Sequence, residues 1–322
     1  GAAKVTGRDI FSDDAAPDDA LRLRVIRAPF HHASFALGDL DAFQKAAGLR
    51  LILTAADIPG ENRHGVIPGF VDQPVFAENV SRFKGEAVAA VVGTRQAIAA
   101  LDPADFPIRW TEQPALLQPD DARGAETLLH AERAENIMCG GFVRCGAPED
   151  GLAEATHRAE AHISTGFIEH AYIEPEAGYA EMQGDRVMIR ACTQAPVMDQ
   201  EQTAAILGLP MENVRMVPAA AGGGFGSKLD ISVQPYVALA AMKTGRPFPR
   251  YCAMTSAVRP QASQSTKVTS SFCCPSLPFH LRLTARPKLP TCVDPAVRSS
   301  MSLTKFPMRM TLLKLLISVL SA

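Results

Sequence analysis

The sequence predicts a mixed α+β fold in two parts, and three observations carry that prediction. Apolar runs of strand length alternate with short helical stretches over residues 1–116. The interval 117–150 is rich in Pro, Asp and Gly, carries little periodicity and reads as a linker. Residues 151–250 return to strands and helices, arranged about one glycine-rich loop.

In the first part, LRLRVIRAP after Asp19 alternates apolar and basic residues as a half-buried strand does. GDLDAFQKAAG reads as a short helix stopped at Gly48, and Leu49 to Thr54 as a strand. A Gly- and Pro-punctuated loop follows from Ile58 to Pro74. GEAVAAVVG is a continuous apolar strand, TRQAIAAL a helix stopped by Asp102-Pro103, and Phe106 to Thr111 a closing strand. In the second part, HRAEAHISTGF, GYAEMQG and DRVMIRACTQ read as successive antiparallel strands, with Gln183-Gly184-Asp185 as the turn between the last two. Pro196 to Leu207 has proline where a helix begins and Gly208 where it ends. Asn213 to Ala219 reads as a strand, AGGGFGSK as a loop, and Asp230 to Thr244 as an amphipathic helix.

Composition excludes several classes. With 47% hydrophobic and 20% charged residues, the chain is neither fibrous nor broadly disordered. A net charge of −2, with no clustered Lys and Arg in the first 250 residues, gives no basis for nucleic-acid binding. The seven cysteines contain no CxxC pair, which supports neither a zinc site nor a cysteine-ligated iron–sulfur cluster. Their odd number and the lack of a secretory leader favour a reducing, cytoplasmic setting. Because the chain opens at Gly1 inside a turn, its start is expected to be a cut end.

The charge is unevenly spread. Residues 1–250 hold 23 of the 32 basic and 33 of the 34 acidic residues, a net of −10, whereas 251–322 hold 9 basic residues and Asp294 alone, a net of +8. All 23 glycines lie in the first stretch. Residues 251–322 are therefore expected to be a separate tail, disordered or misfolded.

The loop around Gly222 is the chemical centre. Three consecutive glycines after a strand allow positive φ and let N–H groups approach an anion. Alone the signal is open: Gly222, Gly224 and Gly226 do not make GxGxxG, and Gly226-Ser227-Lys228 misses the P-loop order. A nucleotide site and a tight packing corner both fit, and Lys228 reads equally as a phosphate contact or an exposed side chain. His170 with Glu169 and Glu174 suggests a metal constellation, but two carboxylates and one imidazole on alternating strand positions read better as groups that hydrogen-bond the sheet. His31-His32 reads as a solvated loop pair.

Taken together, longer stretches are specific. IEHAYIEPEAGYAE (168–181), RACTQAP (190–196), ILGLP (206–210) and AAGGGFGSK (220–228) resemble, in order and spacing, the molybdopterin-binding region of the xanthine dehydrogenase/aldehyde oxidase family. KVTGRDIFSDD (4–14), VIRAPFHHASF (25–35), LILTAADIPGEN (51–62) and FKGEAVAAVV (83–92) resemble the α/β hammerhead domain that opens its catalytic subunits. The resemblance implies a hammerhead-like domain at 1–116 and the first part of a molybdopterin-binding domain at 151–250. It implies that Gln194 sits beside the molybdenum and donates a hydrogen bond to an oxo ligand, a role suited to a neutral amide. Phe225 and Gly226 would bring an aromatic edge and a backbone N–H next to the metal, while Gly222, Gly223 and Gly224 would let the backbone pass close to the pterin. No side chain is implied as a metal ligand.

The cofactor implied is molybdenum-molybdopterin in its cytosine dinucleotide form, with iron–sulfur clusters and FAD on partner subunits. The reaction implied is hydroxylation of a small molecule (an aldehyde, purine or N-heterocycle) with water as oxygen source, in a complex that can be homodimeric. The family's general-base glutamate lies far toward the C-terminus of a longer subunit and has no counterpart here, so this chain alone is expected to be inactive. The resemblance stops near KTGRP (243–247), and the shift from Gly and Glu to Ser, Pro, Arg and Cys is what a frameshift near residues 247–252 produces. Sequencing the gene across that point decides it. The competing reading is a basic extension ending in TLLKLLISVLSA, too short to span a bilayer. Two further readings stay open for the whole chain: a non-catalytic remnant, and a nucleotide binder using the Gly222 loop.

Overall fold

The computed structural model describes residues 1–163, 170–244, 252–255 and 279–285. Its strands are β1 (Leu21–Arg27), β2 (Ala33–Leu37), β3 (Leu51–Leu53), β4 (Val80–Ser81), β5 (Ala87–Gly93) and β6 (Ile108–Glu112). They continue as β7 (His157–Ile163), β8 (Ala177–Gln183), β9 (Arg186–Ala191), β10 (Val214–Pro218), β11 (Cys252–Thr255) and β12 (Phe279–Ala285). The described residues of 1–116 and 169–274 form one compact unit, and those of 117–168 and 275–322 form another.

The first unit is built on a seven-stranded sheet of order β10-β9-β8-β11-β1-β5-β3 and a small sheet β4-β2-β6. β5 shows why its sequence is continuously apolar: every residue is buried, because one face meets each of two cores. Ala87, Ala90 and Val92 join the larger core, and Val88, Ala89 and Val91 the smaller. Leu23 and Ile26 of β1 divide between the same two cores. The smaller core is closed by helix Leu40–Ala46, capped by Asp39 accepting from the Ala42 N–H, and by helix Arg95–Ala100, capped by Thr94. β2 and β4 carried too short a pattern to stand out in the sequence.

The larger core holds two helices. Pro196–Leu207 starts with proline and ends at Gly208 in the left-handed region, as its sequence signals require. The expected amphipathic helix from Asp230 starts instead at Gln234 and is buried from Gln234 through Ala241, so it has no solvent face there. The Gln234 Oε1 atom accepts the Ser232 and Val233 N–H groups and sets that start. Its alanines allow contact with β8, β9 and helix Pro196–Leu207 together.

β8 and β9 form the expected hairpin, with Gly184 at φ +65° in the turn. β7 departs from expectation: it pairs with β12, in the second unit, and not with β8. The seven-stranded sheet takes β1, β3 and β5 from residues 1–116 and β8, β9 and β10 from residues 151–250. β11 fills the slot between β1 and β8, pairing parallel to the first and antiparallel to the second, so neither is left with an open edge there. Most of the tail at 251–322 lies outside the described residues. The two segments described within it, β11 and β12, are paired strands.

Candidate cofactor site

β9 and β10 are adjacent and parallel, joined through helix Pro196–Leu207. Gln194 follows the C-terminal end of β9, and the 220–228 loop follows the C-terminal end of β10. The chain leaving two adjacent parallel strands emerges at the same end of the sheet, which brings these two segments side by side.

The two segments are hydrogen-bonded to each other. The Gln194 N–H donates to the Lys228 carbonyl at 2.9 Å. Gln194 Oε1 accepts from the Gly226 N–H at 3.0 Å and from the Lys228 N–H at 3.3 Å. Two donors on one atom fix the amide's orientation, since a flipped amide would set its NH2 against N–H groups. The Nε2 group is thereby left as the donor that Gln194 can offer a ligand. The Gly226 N–H, expected to face the metal, is spent inside the protein on Gln194.

The glycines have internal reasons. A Cβ on Gly222 would meet Glu174 Cβ at 2.6 Å, one on Gly223 would meet Tyr172 Cβ at 2.8 Å, and one on Gly224 would meet Gln194 Oε1 at 2.5 Å. Gly223 and Gly226 also adopt φ of +119° and +96°. Close packing against the chain's own residues is therefore sufficient to require these glycines. Phe225 is the exception to ordinary packing: it is 73% exposed and sits at φ +51°, a costly combination for an aromatic residue. Among the described residues, the N–H groups of Gly223, Gly224 and Phe225 donate to no protein acceptor.

Beneath the loop lies a pair that sequence reasoning missed. Lys228 is neither exposed nor free for a phosphate. Its Nζ donates to Glu174 Oε2 at 2.8 Å, with the two side chains 1% and 3% exposed, and sits 4.6 Å from the Tyr172 ring centre. Glu174 also accepts the Gly222 N–H at 2.8 Å and the Ser12 hydroxyl at 3.2 Å. Burial pushes the Glu174 carboxyl up, but the bonds from Lys228 and Gly222 outweigh it and hold it below its ordinary value. Burial likewise pushes Lys228 down, and Glu174 with nearby Glu176 more than restores it. Both groups are therefore ionised. Cys192 lies against this pair, its thiol pushed up to about 11 by burial and by Glu174. Among the described residues His170 makes no metal group with Glu174, and Glu169 lies outside them. His32 is buried, its Nδ1 3.0 Å from the Pro114 carbonyl, not solvated as expected.

The family model for the aldehyde oxidase and xanthine dehydrogenase a/b hammerhead domain matches residues 6–113, and that for the molybdopterin cofactor-binding domain matches residues 129–259. The chain belongs to the xanthine dehydrogenase/aldehyde oxidase family. The second match contains Gln194 and the whole 222–226 loop, and it runs past residue 250, where composition had set the start of a non-family tail. A xanthine dehydrogenase subunit of Bacillus subtilis (strain 168), named as probable, is 32% identical over 77% of this chain and 33% of its own length. The nicotinate dehydrogenase large molybdopterin subunit of Eubacterium barkeri is 30% identical over 76% of this chain and 57% of its own. The chain thus spans about a third to somewhat over half of these relatives. The aldehyde oxidoreductase of Desulfovibrio gigas shares the fold, with a TM-score of 0.71 and 24% identity over 79% of this chain and 29% of that one. Among the described residues, no helix is long and apolar enough to cross a membrane.

Proposed function

We propose that the chain supplies one wall of the molybdopterin site in a molybdenum hydroxylase large subunit. The observation that carries the proposal is the convergence of Gln194 with the 222–226 loop, its carbonyl oxygen pinned by Gly226 and Lys228 so that its amide NH2 is the group on offer. The undonated N–H groups of Gly223, Gly224 and Phe225 suit the anionic edge of such a cofactor. When bound, the cofactor supplies oxygen transfer and two-electron redox chemistry. Gln194 orients it through a donor that does not titrate. Phe225 holds its ring outward, where a flat substrate can lie against it.

The substrate class is an aldehyde, purine or N-heterocycle, with water as oxygen source. Electrons leave through iron–sulfur and FAD partner subunits in the cytoplasm, and the cofactor is the cytosine dinucleotide form. The relatives' names, xanthine dehydrogenase and nicotinate dehydrogenase, fit that substrate range. A nucleotide-binding loop fits poorly, because Lys228 is consumed in a buried ion pair.

The test is metal and pterin analysis of the chain co-expressed with iron–sulfur and FAD subunits in a host that makes the cofactor. Molybdenum and an oxidised pterin fluorophore should co-purify in equal amounts, and Gln194→Ala should lower both. A folded complex holding neither, or holding a nucleotide in their place, overturns the proposal.

A further inference from the structure

We infer that the buried Glu174–Lys228 pair is a clasp that joins the two ends of the glycine loop and so sets the position of Gln194. The inference deepens the proposed function and rests on that reading for its purpose, though not for its geometry. Glu174 holds the leading end of the loop through the Gly222 N–H, and Lys228 is the trailing end. The same Lys228 exchanges two backbone contacts with Gln194, its carbonyl accepting the Gln194 N–H and its N–H donating to Gln194 Oε1. A displacement at Gly222 therefore reaches Gln194 through one carboxylate and one lysine.

The arrangement is built to be stiff. Ser12 occupies the second carboxylate oxygen, and Tyr172 places its ring by the ammonium. Neither side chain can leave without stranding a buried charge. Glycine at 222 is what lets the carboxylate approach, since a Cβ there would lie 2.6 Å from Glu174 Cβ. Glu174 and Lys228 are positioning residues: they act on the site through the loop and through Gln194.

The experiment is residue-resolved amide hydrogen exchange on the full chain, with the Val91 amide in the core strand β5 as control. Replacing both members, Glu174→Gln with Lys228→Met, removes the charges together and avoids an unpaired one. The Gly222 and Gly226 amides should then exchange about tenfold faster while Val91 is unchanged. Loop amides as slow as in the parent, or all three amides accelerating together, overturn the inference. If the double variant does not fold, Gly222→Ala disturbs the clasp from its leading end and leaves the charges in place. It should accelerate Gly226, at the far end, by a similar factor, and an unchanged Gly226 overturns the inference. The readout is separate from cofactor retention: a chain with slow loop amides and no pterin sinks the proposed function alone, and pterin retained above a fast-exchanging loop sinks the clasp alone.

Discussion

Gly224→Ala isolates the contact on which the candidate site depends. The new Cβ would lie 2.5 Å from Gln194 Oε1 and 2.9 Å from its Cδ. Gly224 is not among the residues with positive φ, so alanine adds no backbone strain, and the clash falls on one side chain. A glutamine terminus moves easily, and the steric term alone is small. Moving it, however, breaks the bonds that Oε1 accepts from the Gly226 and Lys228 N–H groups. Each is worth about 0.5–1.5 kcal/mol, and water reaches exposed Gln194 and replaces part of that, so the expected loss is about 1–2 kcal/mol. Urea unfolding of the full chain measures it, together with Gln194→Ala and the double variant. In the Gln194→Ala background the Cβ meets no amide, so the cost of Gly224→Ala should fall to within about 0.5 kcal/mol of zero. The reasoning is refuted if the cost is the same in both backgrounds.

Gly60→Ala should be far more damaging, because its Cβ would lie 2.0 Å from the Ala205 carbonyl oxygen and 2.7 Å from the Gly208 nitrogen. These backbone atoms belong to a helix end that also receives the Gly60 and Glu61 N–H groups, so a loss above about 3 kcal/mol is expected in the same urea assay. A loss below that of Gly224→Ala would contradict the packing at that corner. Stability should also fall from pH 5 to pH 8. Burial pushes Glu86 from 4.5 up to about 7 and Asp199 from 3.8 up to about 6, so the folded state holds both protons more tightly than the unfolded chain. The stabilisation is full below the unfolded carboxyl values and is lost as pH rises through the folded ones, about 3 kcal/mol for Glu86. Glu86→Gln should flatten the urea midpoint against pH over that window, and an unchanged slope excludes Glu86 as its source. The lowered carboxyl of Glu174 acts in the opposite sense and only at lower pH, so it does not blur this window.

Local signals in the sequence reached most of the elements that position the site. Proline at 196, glycine at 208 and the Gly184 turn are chemistry of the backbone itself, legible wherever they occur, and each appears in its expected place. What escaped was set by partners distant in sequence. Lys228 pairs with a carboxylate 54 residues away, and nothing beside it marks it as buried. The helix at Gln234–Thr244 read as amphipathic, yet its polar first residue is buried against Asp199, 35 positions away. The slot filled by β11 exists only once β1 and β8 lie one strand apart. The glycine run shows the limit most clearly. Its sequence fits a ligand cradle and a packing corner equally, and the structure gives the packing reason at three positions, with Glu174, Tyr172 and Gln194 each occupying the space of a missing Cβ. The two readings are not rivals here. Packing that closely is what draws Gln194 onto the loop, and Phe225, at positive φ and 73% exposed, is the residue in the run that packing alone does not explain.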